Sequence, residues 1–156
     1  MSPAKKRARS YDPVKIRAAV LSQSGHVREA VATLTPEQLA LPTRLGGWTV
    51  RELVAHIGAA LSAIGRFLDR PEPARQDAGA LDWPFATSAD ADALADIAHR
   101  LAERHPDLVA HLAEVERGLV GHLDAHPGTR LLDTNAGAMP LAEYLVTRTV
   151  ELVVHT

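Results

Sequence analysis

The chain contains no cysteine, and that single absence removes disulfides, thiolate zinc sites and cysteine nucleophiles together. Any metal must sit on His, Asp or Glu. The same absence fits a reducing compartment, and a cytoplasmic protein is the expectation. Long hydrophobic runs are lacking as well. Hydrophobic residues make up 46% of the chain, yet the most apolar stretch, LVAHIGAALSAIGRFL, carries a His and an Arg and falls short of a membrane span. No secretory h-region follows the basic start. No segment sustains an apolar/polar alternation, and there is no internal repeat, heptad pattern or low-complexity tract beyond an alanine bias. Net positive charge is confined to one end. Lys5, Lys6, Arg7 and Arg9 give the first ten residues +4, and the remainder carries 13 basic against 19 acidic residues. Residues 1–11 are expected to form a disordered, solvated arm rather than a nucleic-acid-binding one, because nothing basic continues into the fold.

What is present is helical spacing nearly throughout, over a length that suits one domain, residues 12–156. Asp12 is placed as an N-cap with Pro13 at the first helical position, so a first helix is expected over about 12–33, turning Val14, Leu21, Val27 and Val31 inward. A short TPEQLA turn and the breaker LPTRLGG follow. In GWTVRELVAHIG, Thr49 and Glu52 form a T-x-x-E capping box, with Trp48 and Leu53 placed for a hydrophobic staple. From there Leu53, Ile57, Ala60, Ile64 and Phe67 mark a core stripe to about residue 69. The segment RPEPARQDAGALDWPF reads as a loop whose Trp83 and Phe85 either line a pocket mouth or cover a core edge. Helical phase then runs over 87–125 through Leu94, Ile97, Leu101, Leu108, Leu112, Val115 and Leu119, with Pro106 as the point of kink or break. After HPGTRLLDTNAGA, Pro140 starts the last helix. The expected fold is an all-α bundle of four main helices.

Three histidine-bearing patterns offer chemistry. On the last helix Tyr144, Arg148, Glu151 and His155 form one polar stripe at i, i+4, i+7 and i+11 on an otherwise apolar helix. Periodicity alone favours a stripe that faces water; the alternative is a central helix whose stripe lines a cleft. His56 stands on the inward stripe of the second helix, where a histidine needs a partner: a carbonyl, a carboxylate or a metal. Glu151 and His155 would complete a two-His, one-carboxylate set that leaves coordination positions open, as in a catalytic metal site. Spacing is weak support, since nine Glu and eight His give about half an E-x-x-x-H match by chance. Of the two matches, Glu52 with His56 is explained by the capping box. His122 and His126 are also one turn apart, but their place before Pro127 and Gly128 fits histidines at a helix C-terminus.

GGWTVRELVAHIG followed some ninety residues later by RTVELVVHT resembles the metal-binding N-terminal domain of mycothiol-dependent maleylpyruvate isomerases, within the DinB-like superfamily. The resemblance covers the chain from about Val14 onward. It implies a DinB-like up-and-down four-helix bundle with one divalent ion, usually zinc, held by His56, Glu151 and His155. It also implies a low-molecular-weight thiol at the open metal position, mycothiol in actinobacteria, whose GC-rich genomes suit an Arg- and Ala-rich chain. A zinc-bound thiol is a thiolate at neutral pH. In the isomerase reaction it adds to the cis double bond of maleylpyruvate, permits rotation and leaves; in transferase relatives the adduct is the product. Arg148 is the candidate catalytic residue, pairing with a substrate or cofactor carboxylate or orienting Glu151. The expected partners are the small thiol and an electrophilic substrate, with no nucleic acid and no membrane; a homodimer is compatible. The isomerase proper carries a further C-terminal domain. A ligand at the penultimate position of a fraying last turn leads to the expectation that a fuller chain continues past Thr156, which an encoded stop there would contradict. A non-catalytic bundle, binding metal for stability or serving as an interaction scaffold, is the competing reading.

Overall fold

The computed structural model describes residues 10–87 and 91–155. All but two of the residues of the expected basic arm lie outside that set. Helix α1 spans Pro13–Ala32, and the Asp12 carboxylate accepts hydrogen bonds from the backbone N–H groups of Val14 and Lys15 (2.9 and 3.2 Å). It buries Val20, Ser24, Val27 and Val31, while Val14 is 76% exposed. The expected inward set mixed two helical phases: the stripe through 20, 24, 27 and 31 passes through 13 and 17, not through 14. A one-turn helix α2, Pro36–Leu39, is closed by a Thr35/Gln38 capping box.

Helix α3, Val50–Leu68, begins at the expected capping box. The Thr49 N–H donates to Glu52 Oε2 at 2.7 Å, and the Glu52 N–H donates to Thr49 Oγ1 at 3.2 Å. After the loop come a 3₁₀ turn, Ala80–Asp82, and a short helix α4, Trp83–Thr87. The long helical phase beyond is two helices, α5 (Ala91–Arg104) and α6 (Leu108–Ala125). They break at Pro106, where the Asp107 carboxylate caps the N–H of Ala110. The connection HPGTRLLDTNAGA, for which no strand was expected, forms with Met139 and Pro140 a small antiparallel hairpin, β1 (Leu131–Thr134) and β2 (Gly137–Pro140). Its Leu132 and Met139 are paired in register and fully buried, so the hairpin plugs the bundle end at about 1.5–3 kcal/mol per buried side chain. Gly137, at φ 117°, leaves its turn in a conformation that L side chains rarely adopt. The last helix is α7, Leu141–Val154.

Helices α1, α3, α6 and α7 form the four-helix bundle, α1 packing on α6 and α7 and α3 on α6 and, more sparsely, α7. Helix α5 is a fifth, laid on the outside of α3. The long helices alternate in direction along the chain. Arg51 donates to the carbonyls of Ala102 and His105, so α5 runs against α3. Gly58 faces His111 and Gly65 faces His122, so α6 runs with α3, brought close by the absence of a Cβ at those two positions. Ser24 and Arg28 meet Glu116, and Arg17 meets Asp124, across the antiparallel α1–α6 pair. The core joins Val20, Leu61, Ile64, Leu112, Leu119, Leu141 and Leu152. No helix among the described residues is long and apolar enough to cross a membrane.

Candidate metal centre

Helix α7 runs antiparallel to α3, with Phe67 on Tyr144 at one end and His56 facing Glu151 at the other. The polar stripe of α7 therefore turns inward. Tyr144 and Arg148 are buried, and the side chains of Glu151 and His155 are 29% and 16% exposed. The water-facing stripe that periodicity favoured is overturned in favour of the cleft-lining one, because the apolar residues Val150, Val153 and Val154 take the outside instead. His56, Glu151 and His155 each present one ligand atom, all within 4.8 Å of one another, and among the described residues no other group of three His or acidic side chains does so. His155 Nε2 lies 2.8 Å and His56 Nε2 3.7 Å from the same carboxylate oxygen of Glu151. These separations bracket the roughly 3.3 Å between tetrahedral ligands bonded at about 2.0–2.1 Å to zinc. Two imidazoles and one carboxylate are a borderline donor set that suits zinc and leaves coordination free.

The remaining surroundings hold the three side chains in place. Trp48 meets the His56 ring edge-on at 5.1 Å. Its own backbone is tied by Trp48 N–H to Leu45 O and by Thr43 N–H to Trp48 O, in a loop that needs positive φ at Gly46 and Gly47. The sequence suggested Trp48 only as a staple. The Glu151 carboxyl is held down to about 2, chiefly by the facing His56; burial opposes this, and the Arg148 charge and the imidazoles add to it. A carboxylate that stays ionised, beside two imidazoles, is chemically ready to ligate a cation.

The centre opens onto a cavity of about 700 Å³ between α3, α5 and α7. Small side chains make the room, Ala59, Ala60 and Ala63 from α3 and Ala95 from α5, while Trp48, Trp83 and Tyr144 supply aromatic wall. Trp83 satisfies both expectations made for it, packing on Phe67 and Tyr144 at 6.5 and 5.1 Å while lining the cavity; Phe85 is 83% exposed. Arg148 also lines the cavity, and no ion pair joins it to Glu151 among the described residues. The other patterns do not enter. Glu52 turns to Thr49 and His99 rather than to His56, and His122 packs over Gly65.

The profile of the mycothiol maleylpyruvate isomerase N-terminal domain family matches residues 20–156. The chain belongs to this family. No curated protein and no solved structure gives a significant match. The mycothiol maleylpyruvate isomerase N-terminal domain thus accounts for nearly the whole chain, and both converging helix ends, with His56 on one and Glu151 and His155 on the other, fall inside it. Arg44, Arg66 and Asn135, which line the cavity of this domain, were singled out by no motif, and Trp48 only as a staple, because loop closure and helix packing bring them to the cavity.

Proposed function

We propose that this domain holds one zinc or similar divalent ion on His56, Glu151 and His155, and that it uses a low-molecular-weight thiol, mycothiol or one like it, in an isomerase or S-transferase reaction on a small electrophile. The observation that carries this reading is the convergence of three ligand atoms, from two helices distant in sequence, within 4.8 Å on the wall of a cavity. An ion bound there would supply Lewis acidity that lowers the pKa of a thiol and gives a thiolate at neutral pH. The chain's own residues do the rest. Glu151 enters ionised and contributes negative charge to the ligand set, Trp48 orients the His56 ring, and the alanine-lined cavity leaves space for thiol and electrophile together. Facing the ligands onto a cavity favours chemistry over a purely structural ion, since structural sites are closed.

Metal analysis of the purified protein tests the reading. About one equivalent of zinc is expected in the parent and none in His56→Ala. The cobalt-substituted parent should gain a thiolate-to-metal absorption band on titration with a small thiol. A parent that remains metal-free after dialysis against zinc would defeat the metal assignment, and a cobalt form blind to thiols would defeat the thiol assignment.

A further inference from the structure

Among the described residues, helix α5 is tied to the bundle at one end. Its buried side chains are Ala98 and Ala102, and Leu101 beside them packs partly buried against the core. The polar ties join the same stretch or the corner just beyond it. Arg51 donates to the carbonyls of Ala102, His105 and Pro106 at 3.0, 2.7 and 3.1 Å, and Glu52 meets His99 at 2.8 Å. The His105 ring stacks on His111 of α6, with centroids 3.7 Å apart and planes 16° from parallel. Pro106, which has no N–H, separates α5 from α6, so the two helices share no continuous hydrogen-bonded ladder across the corner.

The other half of α5 is different. Residues 91–97 are two turns, about 10 Å of helix. None of them is buried, and among the described residues no hydrogen bond or ion pair joins their side chains to the bundle. Yet Ala91, Asp92, Leu94, Ala95 and Ile97 form one wall of the cavity. A segment with few buried apolar groups and no polar tie opens at lower cost than the elements it covers. We propose that this half of α5 is a lid, which swings away from α3 about the anchored stretch 98–106 and so admits small molecules to the cavity. The motion is a hinge: a short rigid helix turns at one end and the bundle stays as it is. It concerns entry alone and holds whatever the cavity takes, so it stands or falls apart from the metal and the thiol.

The absence of cysteine makes introduced thiols clean reporters. Spin labels on Ala93→Cys and Arg100→Cys, each paired with one on Ala18→Cys of α1, stand at exposed positions on the two halves of α5 and on the bundle. Pulsed electron paramagnetic resonance should give the Ala93 pair a second, longer-distance population and the Arg100 pair a single narrow one. The lid can also be pinned. Seven residues on from Glu52 in α3 and seven back from His99 in the antiparallel α5 stand Ala59 and Asp92, on the faces that meet at Glu52 and His99, and both line the cavity. Ala59→Lys should therefore tie the lid through Asp92. The longer-distance population should shrink, and Ala63→Cys, on the cavity wall and 9% exposed in the parent, should react with the neutral reagent N-ethylmaleimide at least fivefold more slowly. Adding Asp92→Asn should restore both, which mere bulk at position 59 would not allow. A distribution as narrow at Ala93 as at Arg100, an equal spread at both, or a slowing that survives Asp92→Asn would overturn the lid. Should the pinned variant lose its helical circular dichroism, the two labelled pairs in the unpinned chain decide the question on their own.

Discussion

Tyr144 shows how a single atom can carry a cost to the fold. Among the described residues its ring is the largest fully buried side chain and its hydroxyl is buried without a hydrogen-bond partner; the ring joins Phe67 and Trp83 in the aromatic wall, and burial pushes the ionisation of the hydroxyl upward. Removing that oxygen leaves the packing intact and relieves an unsatisfied group. Tyr144→Phe should therefore stabilise the metal-free protein by about 1 kcal/mol, or roughly 2–4 °C in Tm. Thermal denaturation of the two proteins decides this, and a lower Tm for the variant would mean that the hydroxyl is bonded after all. At this scale the sequence singled out the three side chains that the fold brings within 4.8 Å, because His56, Glu151 and His155 stand in helical phase with recognisable neighbours. It left open which way the stripe on α7 faces. Tyr144, Arg148, Glu151 and His155 look alike whether they meet water or a cavity, and only the packing of Val150, Val153 and Val154 on the outside decides between the two.

Among the elements, α5 is the one whose position depends most on polar ties. It lies outside the four-helix bundle and supplies Leu94, Ala95 and Ile97 to the cavity wall. Arg51 holds the α5–α6 corner by donating to the carbonyls of Ala102, His105 and Pro106, and Glu52 accepts from His99 at 2.8 Å. The Thr49 backbone N–H and then His99 lower the Glu52 carboxyl below 4.5, and Glu52, ahead of Glu103, raises His99 above 6.5. A lowered acid contributes above its unfolded value and loses that contribution as pH falls through its folded one. A raised histidine contributes below its unfolded value and loses that as pH rises through its folded one. The coupling between them is thus largest between about 4.5 and 6.5 and fades on either side. A double-mutant cycle of Glu52→Gln, which keeps the capping box, and His99→Gln should show favourable coupling at about pH 5.5 and none at about pH 9; equal coupling at both would exclude the ion pair. The Thr49/Glu52 capping box, the break at Pro106 and the start of α7 were all legible, since each is local chemistry; the Thr35/Gln38 box was read only as a turn. The β1–β2 hairpin was not. Strands of four residues are too short for alternation to register, and Leu132 and Met139 owe their burial to the bundle end that they close.

On the scale of the whole molecule, the candidate centre sits on the wall of the cavity, where two helices distant in sequence face each other. Helices α3 and α7 meet at Phe67 and Tyr144 and again at His56 and Glu151, where the imidazole nitrogen and the carboxylate oxygen stand 3.7 Å apart. The final turn of α7 is held to the rest of its helix there by the His155 N–H donating to Glu151 O at 3.1 Å. An ion shared by His56, Glu151 and His155 would clip the two helices together across that gap, and its binding energy would be folding energy. At free zinc about a thousandfold above its dissociation constant, the gain should be about 4 kcal/mol, which is roughly 8–16 °C in Tm for a chain of this size. Chelator should abolish the gain and His56→Ala should prevent it. Acid should abolish it too, and the pH at which it goes identifies the cause. Glu151 is held ionised down to about 2, whereas an imidazole must be neutral to ligate, so protons compete with the ion for the two histidines. The zinc-induced shift in Tm should accordingly disappear on acidification while Glu151 is still charged. A zinc effect that vanished only where Glu151 itself takes up a proton would place the ion on acidic side chains alone and remove both histidines from the centre.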